Sequence, residues 1–198
     1  MFKLFYAPTS PFVRKVMVAL LMRGLEERVD LLSTNPHESP AALLQQNPLS
    51  KVPCLVTVEG LPLFDSRVIC EYLDGFGTAS PLFPEAGSER TGALLMQALG
   101  DGIMDAAVAR RMQQPYPQDE GRQHLGARNQ AAIARSLDWL ERAPPYRLRD
   151  IGAVSVACAL GYLDFRFAAE NWREGRPALA EWFEQVSEHP AMAATRPA

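Results

Sequence analysis

The sequence predicts an α/β domain followed by an all-helical domain, and three patterns predict it. Apolar residues alternate at the start (Phe2, Leu4, Tyr6) and then switch at once to helical spacing. Two β-rich runs flank Glu59-Gly60 as the arms of a tight antiparallel hairpin would. Beyond the glycine and proline cluster between Gly75 and Gly87, the apolar patterns are helical throughout. The expected boundaries are residues 1–78 for the first domain, 79–88 for a linker and 89–198 for the helical domain.

The elements follow in order. Phe2 to Tyr6 is a half-buried strand. From Ser10, apolar residues Val13, Val16, Met17, Leu20 and Leu21 mark a helix, with Ser10 as N-cap, Pro11 at its first position and Gly24 at its exit. Val29-Asp30-Leu31 suggests a parallel second strand, and Pro40 to Gln46 a short helix. Cys54 to Val58 and Leu61 to Phe64 form the hairpin, with Pro62 favouring an edge because proline cannot donate to a ladder. Asp65-Ser66 opens a helix striped by Ile69, Tyr72, Leu73 and Phe76. The order is β-α-β-α-β-β-α, with a mixed four-stranded sheet.

The second half reads as a bundle. Leu95, Leu99 and Ile103 line a long helix beginning near Glu89, and Ile133, Leu137 and Leu140 line another that stops before Pro144-Pro145. Ile151 to Phe167 is apolar almost all round and predicts the central helix. Leu179, Trp182, Phe183 and Val186 predict a last helix starting near Pro177.

Composition narrows the function. Of 198 residues, 47% are hydrophobic and the net charge is −3, with basic residues scattered singly. That balance argues against a nucleic-acid partner and against an anionic membrane surface. The opening residues are too few for a secretory apolar core, and no uninterrupted apolar run reaches spanning length, so a cytoplasmic protein is expected. Cys54, Cys70 and Cys158 stand far apart without a Cys-x-x-Cys pair, as small buried hydrophobes do. Cys54 has an alternative because it adjoins Pro53. The three histidines form no cluster, and no metal is expected.

Two stretches in each half carry a resemblance: Thr9 to Lys15, Asn47 to Pro53, Asp101 to Asp105, and Gly161 to Arg166. With them the chain resembles the glutathione S-transferase superfamily over nearly its whole length, and within it the bacterial, serine-type, YibF-like group. The resemblance implies a thioredoxin-like first domain, a helical second domain and glutathione as co-substrate. It also excludes one chemistry: where glutaredoxin-like relatives carry Cys-Pro-x-Cys, this chain has Ser10-Pro11-Phe12-Val13. Dithiol exchange through the motif is ruled out, and the reactive sulfur must come from a ligand.

Each site residue then has an expected role. A thiol of ordinary pKa is only a few per cent ionised at neutral pH, and lowering its pKa by about two units requires about 2.7 kcal/mol of preferential stabilisation of the anion. Ser10, a hydroxyl at a helix N-terminus, suits that task, and Thr9 is the second choice; the plainer role of Ser10 is capping alone. By resemblance Val52-Pro53 is cis and offers the Val52 backbone to the ligand's cysteinyl backbone. Asp65 and Ser66 suit the ammonium and carboxylate of the γ-glutamyl group, with helix capping alone as the rival role. Lys51 suits the glycine carboxylate or is equally a solvated surface lysine. Asp101 or Asp105 would reach the partner's site in a homodimer, though solvated charges are the default reading. Arg14 either adds positive potential near the sulfur or faces solvent. Met104, Val108, Met112, Tyr116 and Phe165 are the candidate apolar pocket, each equally a core or interface residue. Asp150 should cap the central helix, but with Ala153 where many relatives carry Asp, the reciprocal bond is missing.

The expected activity is a glutathione transferase acting on a small electrophilic or apolar co-substrate or a peroxide. The alternatives are a non-catalytic glutathione-fold binding or regulatory protein, and a dehalogenase or isomerase that uses glutathione as cofactor. A homodimer is expected, with the edge of the first domain against the first two long helices of the second.

Overall fold

The structure is a computed structural model that describes residues 1–197. The chain divides into two compact units, the first made of Met1–Ala86 with the segment from Pro190 onward, the second of Gly87–His189.

In the first unit, four strands form a mixed sheet of order β2-β1-β3-β4: β1 Phe2–Tyr6, β2 Val29–Ser33, β3 Cys54–Val56 and β4 Pro62–Leu63. β1 runs parallel to β2, pairing Phe2 with Val29, and antiparallel to β3, pairing Phe5 with Cys54. Pro62 sits on the edge strand, where its missing N–H costs no ladder bond. β3 ends two residues earlier than the sequence pattern suggests. Thr57 already belongs to the turn: its N–H donates to Leu61 O at 2.9 Å and its hydroxyl accepts from Leu61 N at 3.1 Å.

Helices cover both faces of this sheet. α1 (Pro11–Met22) and α3 (Ser66–Asp74) pack together, and Phe2 meets Tyr72 and Phe76 edge-on at 6.1 and 5.6 Å. On the opposite face Phe5 and Cys54 close around Leu43 of the short α2 (Ala41–Leu44). Phe5 is therefore buried although it breaks the alternation, because β1 is covered on both sides. α1 ends in a Schellman turn: Leu25 N donates to Leu20 O and Gly24 N to Leu21 O, with Gly24 at φ +66°.

The linker after α3 is fastened. Arg23 and Asp74 form an ion pair at 3.0 Å with both side chains buried. Arg23 also donates to the Asp74 and Gly77 carbonyls, while the Asp74 carboxylate accepts from Leu82 N and Phe83 N at 2.8 and 3.0 Å.

The second unit holds α4 (Gly87–Gln113), α5 (Glu120–Arg142), α6 (Ile151–Phe167) and α7 (Pro177–Ser187). α6 is the central helix, buried almost all round, with α4 and α7 against it. With the 3₁₀ turn that continues it to Glu170, α6 is long and apolar enough to span a bilayer, but most of it is buried inside this unit. The buried face of α4 differs from the expected leucine stripe. Leu95 is 56% exposed, and Ala93, Gln97, Gly100, Ile103 and Met104 face inward instead. The reason is close approach of two helices. A Cβ on Gly100 would lie 2.6 Å from Ser155 C, and one on Gly152 would lie 2.6 Å from Ala93 O. Small residues let the backbones meet, and large ones are turned outward.

Three helix starts in this unit have carboxylate caps. Asp119 accepts from Arg122 N and Asp150 from Ala153 N at 3.0 Å. The third is supplied by a neighbour: Glu141 of α5 accepts from Ala178 N and Leu179 N at the start of α7. The sequence pattern assigns residues 89–198 to the helical domain, but α8 (Pro190–Ala194) packs on α1 in the first unit.

Candidate functional site

Strand register brings three of the singled-out stretches to one edge of the sheet. β1 ends at Tyr6, four residues before Ser10. Phe5 pairs with Cys54, so Val52-Pro53 lies at that same end of β1. Leu55 pairs with Leu63 in an antiparallel ladder, which carries β4 back to this edge and delivers Asp65-Ser66 there. The carboxyl end of β2 also lies here, because Tyr6 pairs with Ser33. Such an edge, outside the carboxyl ends of the parallel strands, is where open α/β sheets bind ligands.

Ser10 is the N-cap of α1, and its Oγ accepts from Val13 N at 3.3 Å. Capping and thiol binding do not compete. The amide occupies an oxygen lone pair, so the hydroxyl hydrogen remains free to donate elsewhere, and accepting one bond polarises it for the next. The first turn of α1 carries no acidic residue to cancel the positive end of its dipole. Ser10 is half-buried, whereas Thr9 is exposed. Arg14 takes neither expected position. It is 8% exposed, donates to the Met192 carbonyl of α8 at 3.1 Å, and ties the chain's last helix to α1.

The Val52–Pro53 peptide bond is cis. Among the described residues the Val52 N–H and C=O have no hydrogen-bond partner, and the residue is half-buried. A residue outside the sequence-derived set holds this loop. Asn47 is 1% exposed; its amide donates to Lys51 O at 2.8 Å and its Oδ1 accepts from Leu49 N at 3.0 Å. The signal for it was present, since Asn followed by Pro is a turn-forming pair whose side chain bonds nearby backbone. Lys51 itself is exposed.

Asp65 caps α3, accepting from Arg67 N at 2.8 Å, and its side chain is exposed. The Phe64–Asp65 peptide bond is also cis. Ser66 is buried at the first turn of α3. Cys54 is fully buried, and burial pushes its thiol up to about 11, so it carries no thiolate at neutral pH. Its alternative as a reactive group is thereby removed. All three cysteines are buried. Among the described residues no group of His, Cys, Asp and Glu is arranged to hold a metal ion.

The candidates of the helical unit separate. Asp101 and Asp105 stand one turn apart on α4 but differ in burial: Asp101 is 2% exposed and Asp105 is exposed, so the default of two solvated charges fails for Asp101. Met104 is part of the core, Val108 and Phe165 are half-buried, and Met112 and Tyr116 are exposed. Tyr162 and Arg166, in the last of the stretches that carried the resemblance, form a polar contact one turn apart.

Comparison with known proteins settles the family. A model of the glutathione S-transferase N-terminal domain matches residues 9–75, and one of the C-terminal domain matches residues 105–185. The chain belongs to the glutathione S-transferase family. It is 34% identical to the uncharacterized GST-like protein YibF of Escherichia coli, over 98% of each chain. Among solved structures, a glutathione transferase family member from Pseudomonas fluorescens with bound glutathione is 43% identical, covers all of both chains and superposes with a TM-score of 0.92. A second structure of such a family member, with bound S-(propanoic acid)-glutathione, is 41% identical and has a TM-score of 0.89. The thioredoxin-like sheet followed by a helical bundle is the architecture of this transferase family, as the sequence predicts.

Proposed function

We propose that this chain is a glutathione transferase that binds glutathione at the carboxyl edge of the first unit's sheet and ionises its sulfur with Ser10. The observation that carries the reading is the convergence of Ser10, Val52-Pro53 and Asp65-Ser66 on one edge, with the Ser10 hydroxyl at the positive end of α1. The glutathione-bound relative at 43% identity supports glutathione as the ligand.

The roles follow from chemistry. The Ser10 hydroxyl donates to the sulfur and, with the helix dipole, favours the thiolate over the thiol. The unpaired Val52 backbone accepts the ligand's cysteinyl backbone as a short added strand. Asp65 pairs with the γ-glutamyl ammonium, and the free amides at the start of α3 with the Ser66 hydroxyl receive its carboxylate. Lys51 takes the glycine carboxylate. The activated sulfur then attacks an electrophilic carbon, forming the S–C bond as the leaving group departs with its electron pair. Alternatively it attacks a peroxide oxygen, breaking the O–O bond and releasing an alcohol, after which a second glutathione converts the sulfenic acid to disulfide and water. We infer a homodimer that uses the exposed Leu94 and Leu95 of α4, with Asp105, the solvent-facing acid of the pair, reaching toward the partner. Sedimentation tests the dimer: Leu95→Glu should dissociate it, and unchanged mass would reject this interface.

The decisive experiment is ultraviolet thiolate absorbance of bound glutathione against pH in Ser10→Ala and Ser10→Gly variants. Glycine caps a helix nearly as well as serine, so it removes the hydroxyl with a small structural cost. Both variants should raise the bound thiol by about one pKa unit, the hydroxyl's share with the helix dipole left in place, and lower turnover about tenfold. An unshifted thiol with normal turnover rejects activation by Ser10. Saturable binding without turnover in the parent chain, across electrophiles and peroxides, selects the binding-protein reading.

A further inference from the structure

Where α4 and α6 end side by side, four arginines lie on or just beyond the two helices, and their partners divide them into two kinds. Arg110 is paired with Glu170 and lies 4.5 Å over the Phe167 ring. Arg173 forks onto the Asp164 carboxylate. Arg111 and Arg166 have no carboxylate within ion-pair distance among the described residues. Arg111 donates to the neutral Gln114 Oε1 at 2.9 Å. Arg166 lies with its guanidinium 3.9 Å over the Phe165 ring, and its Nε is buried with no acceptor.

Both unpaired cations bear on one group. Tyr162 is 6% exposed and hydrogen-bonded to Arg166 one turn along α6. Burial pushes its hydroxyl up, while Arg166 and Arg111 pull it back down. Arg111 stands on α4 and Arg166 on α6, so two rigid helices hold two positive charges about a buried hydroxyl. A buried Arg166 Nε without an acceptor, on one of two like charges without a counter-charge, is the arrangement an anion completes. The helix ends limit which anion. Both helices present their carbonyl, negative termini here, which opposes a dianion such as phosphate more than a single charge. The planar guanidinium forks match a carboxylate, and the Phe165 ring beside them offers an apolar surface to a small organic body.

We propose that Arg111, Arg166 and the Tyr162 hydroxyl form a binding site for the carboxylate of a small organic acid, so that the helical unit selects acidic over neutral ligands. This deepens the function proposed above, and rests on it only where the carboxylate is carried by a glutathione conjugate. No bond is made or broken at this site.

Calorimetry on the full chain distinguishes the two sources of carboxylate. One arm compares S-carboxyethyl-glutathione with its neutral isostere S-carbamoylethyl-glutathione. The other compares propionate with propionamide in the absence of glutathione. In at least one arm the parent chain should prefer the acid by about tenfold, the scale of one charge-assisted hydrogen bond. Arg111→Gln and Arg166→Gln should each bring that ratio near one without changing affinity for glutathione itself. Arg166→Lys should keep part of it, since charge remains and the fork is lost. A preference in the conjugate arm assigns the site to the co-substrate, and one confined to propionate assigns it to a free acid. No preference in either arm, or one that survives both substitutions, overturns the proposal. Should Arg166→Gln fail to fold, the half-buried Arg111 decides the matter. If neither glutathione nor its conjugates bind, the transferase reading fails, and the propionate arm still tests this site.

Discussion

The two units are held by different means. In the first, polar punctuation sets the shape: Ser10 and Asp65 cap helices, Asn47 ties the loop before Pro53, and the Arg23–Asp74 pair fastens the linker. In the second, the central contact is between backbones, with Gly100 of α4 against Ser155 of α6 and Gly152 of α6 against Ala93 of α4. A unit built on a few polar ties fails when one partner of a tie is lost. A unit built on close approach fails when an atom is added.

The largest test of that contrast is Arg23→Ala. Both members of the pair are buried, with side chains 4% and 9% exposed, and the guanidinium also binds two carbonyls. Removing it leaves the Asp74 carboxylate without its counter-charge, which should cost about 3–5 kcal/mol in urea unfolding. Asp74→Asn added to Arg23→Met should recover part of the loss, since neither side chain is then a buried charge. A cost near zero would show that the linker is held by Leu82 and Phe83 burial alone.

The next test adds an atom. Gly100→Ala places a methyl 2.6 Å from Ser155 C and 2.7 Å from Val156 N, so backbone must shift, at about 2 kcal/mol. Leu95→Ala removes three carbons from a side chain that is 56% exposed, and should change monomer stability by less than about 0.5 kcal/mol. Measured by urea unfolding at dilution beyond any dimer, the pair reverses the order that residue size suggests. Equal costs would return Leu95 to the core of α4.

These two tests mark what was legible. Capping and turn chemistry are local, so Ser10, Pro11, Gly24, Asp65 and Asp150 could be assigned from short windows, and register did the rest at the sheet edge. The face of α4 was not legible because periodicity weighs leucine above glycine, while close helix packing inverts that weight. Arg23 with Asp74, Glu141 at the start of α7 and Arg14 with Met192 all join residues far apart in sequence, and no local pattern carries them. The packing of α8 on α1 was not legible for the same reason.

Cys54 gives a smaller, pH-dependent effect in the first unit. Its thiol is raised from 9.0 to about 11, so the folded chain holds the proton after the unfolded chain has lost it. Its contribution is fully present below 9.0, and declines as pH rises toward about 11. Midway through that window the loss is about 1.4 kcal/mol. Cys54→Ala should flatten the decline relative to the parent chain in denaturation at alkaline pH, and an identical slope would place the thiol in contact with water.

The smallest effect belongs to the start of α6, where the second unit does rely on a polar tie. Asp150 Oδ1 accepts from Ala153 N at 3.0 Å, and Ala153, 1% exposed, has no side-chain acceptor to return the bond. Asp150→Ala should therefore cost about 1 kcal/mol, the value of one cap, while Asp150→Ser should cost little because serine caps equally well. Completing the box with Ala153→Asp should not stabilise the helix. Its carboxylate would be buried where only a methyl now fits, and the desolvation exceeds the bond returned to the cap. A stabilising Ala153→Asp, read in the same urea series, would mean that the first turn of α6 opens to solvent, and would make this end of the bundle resemble the first unit after all.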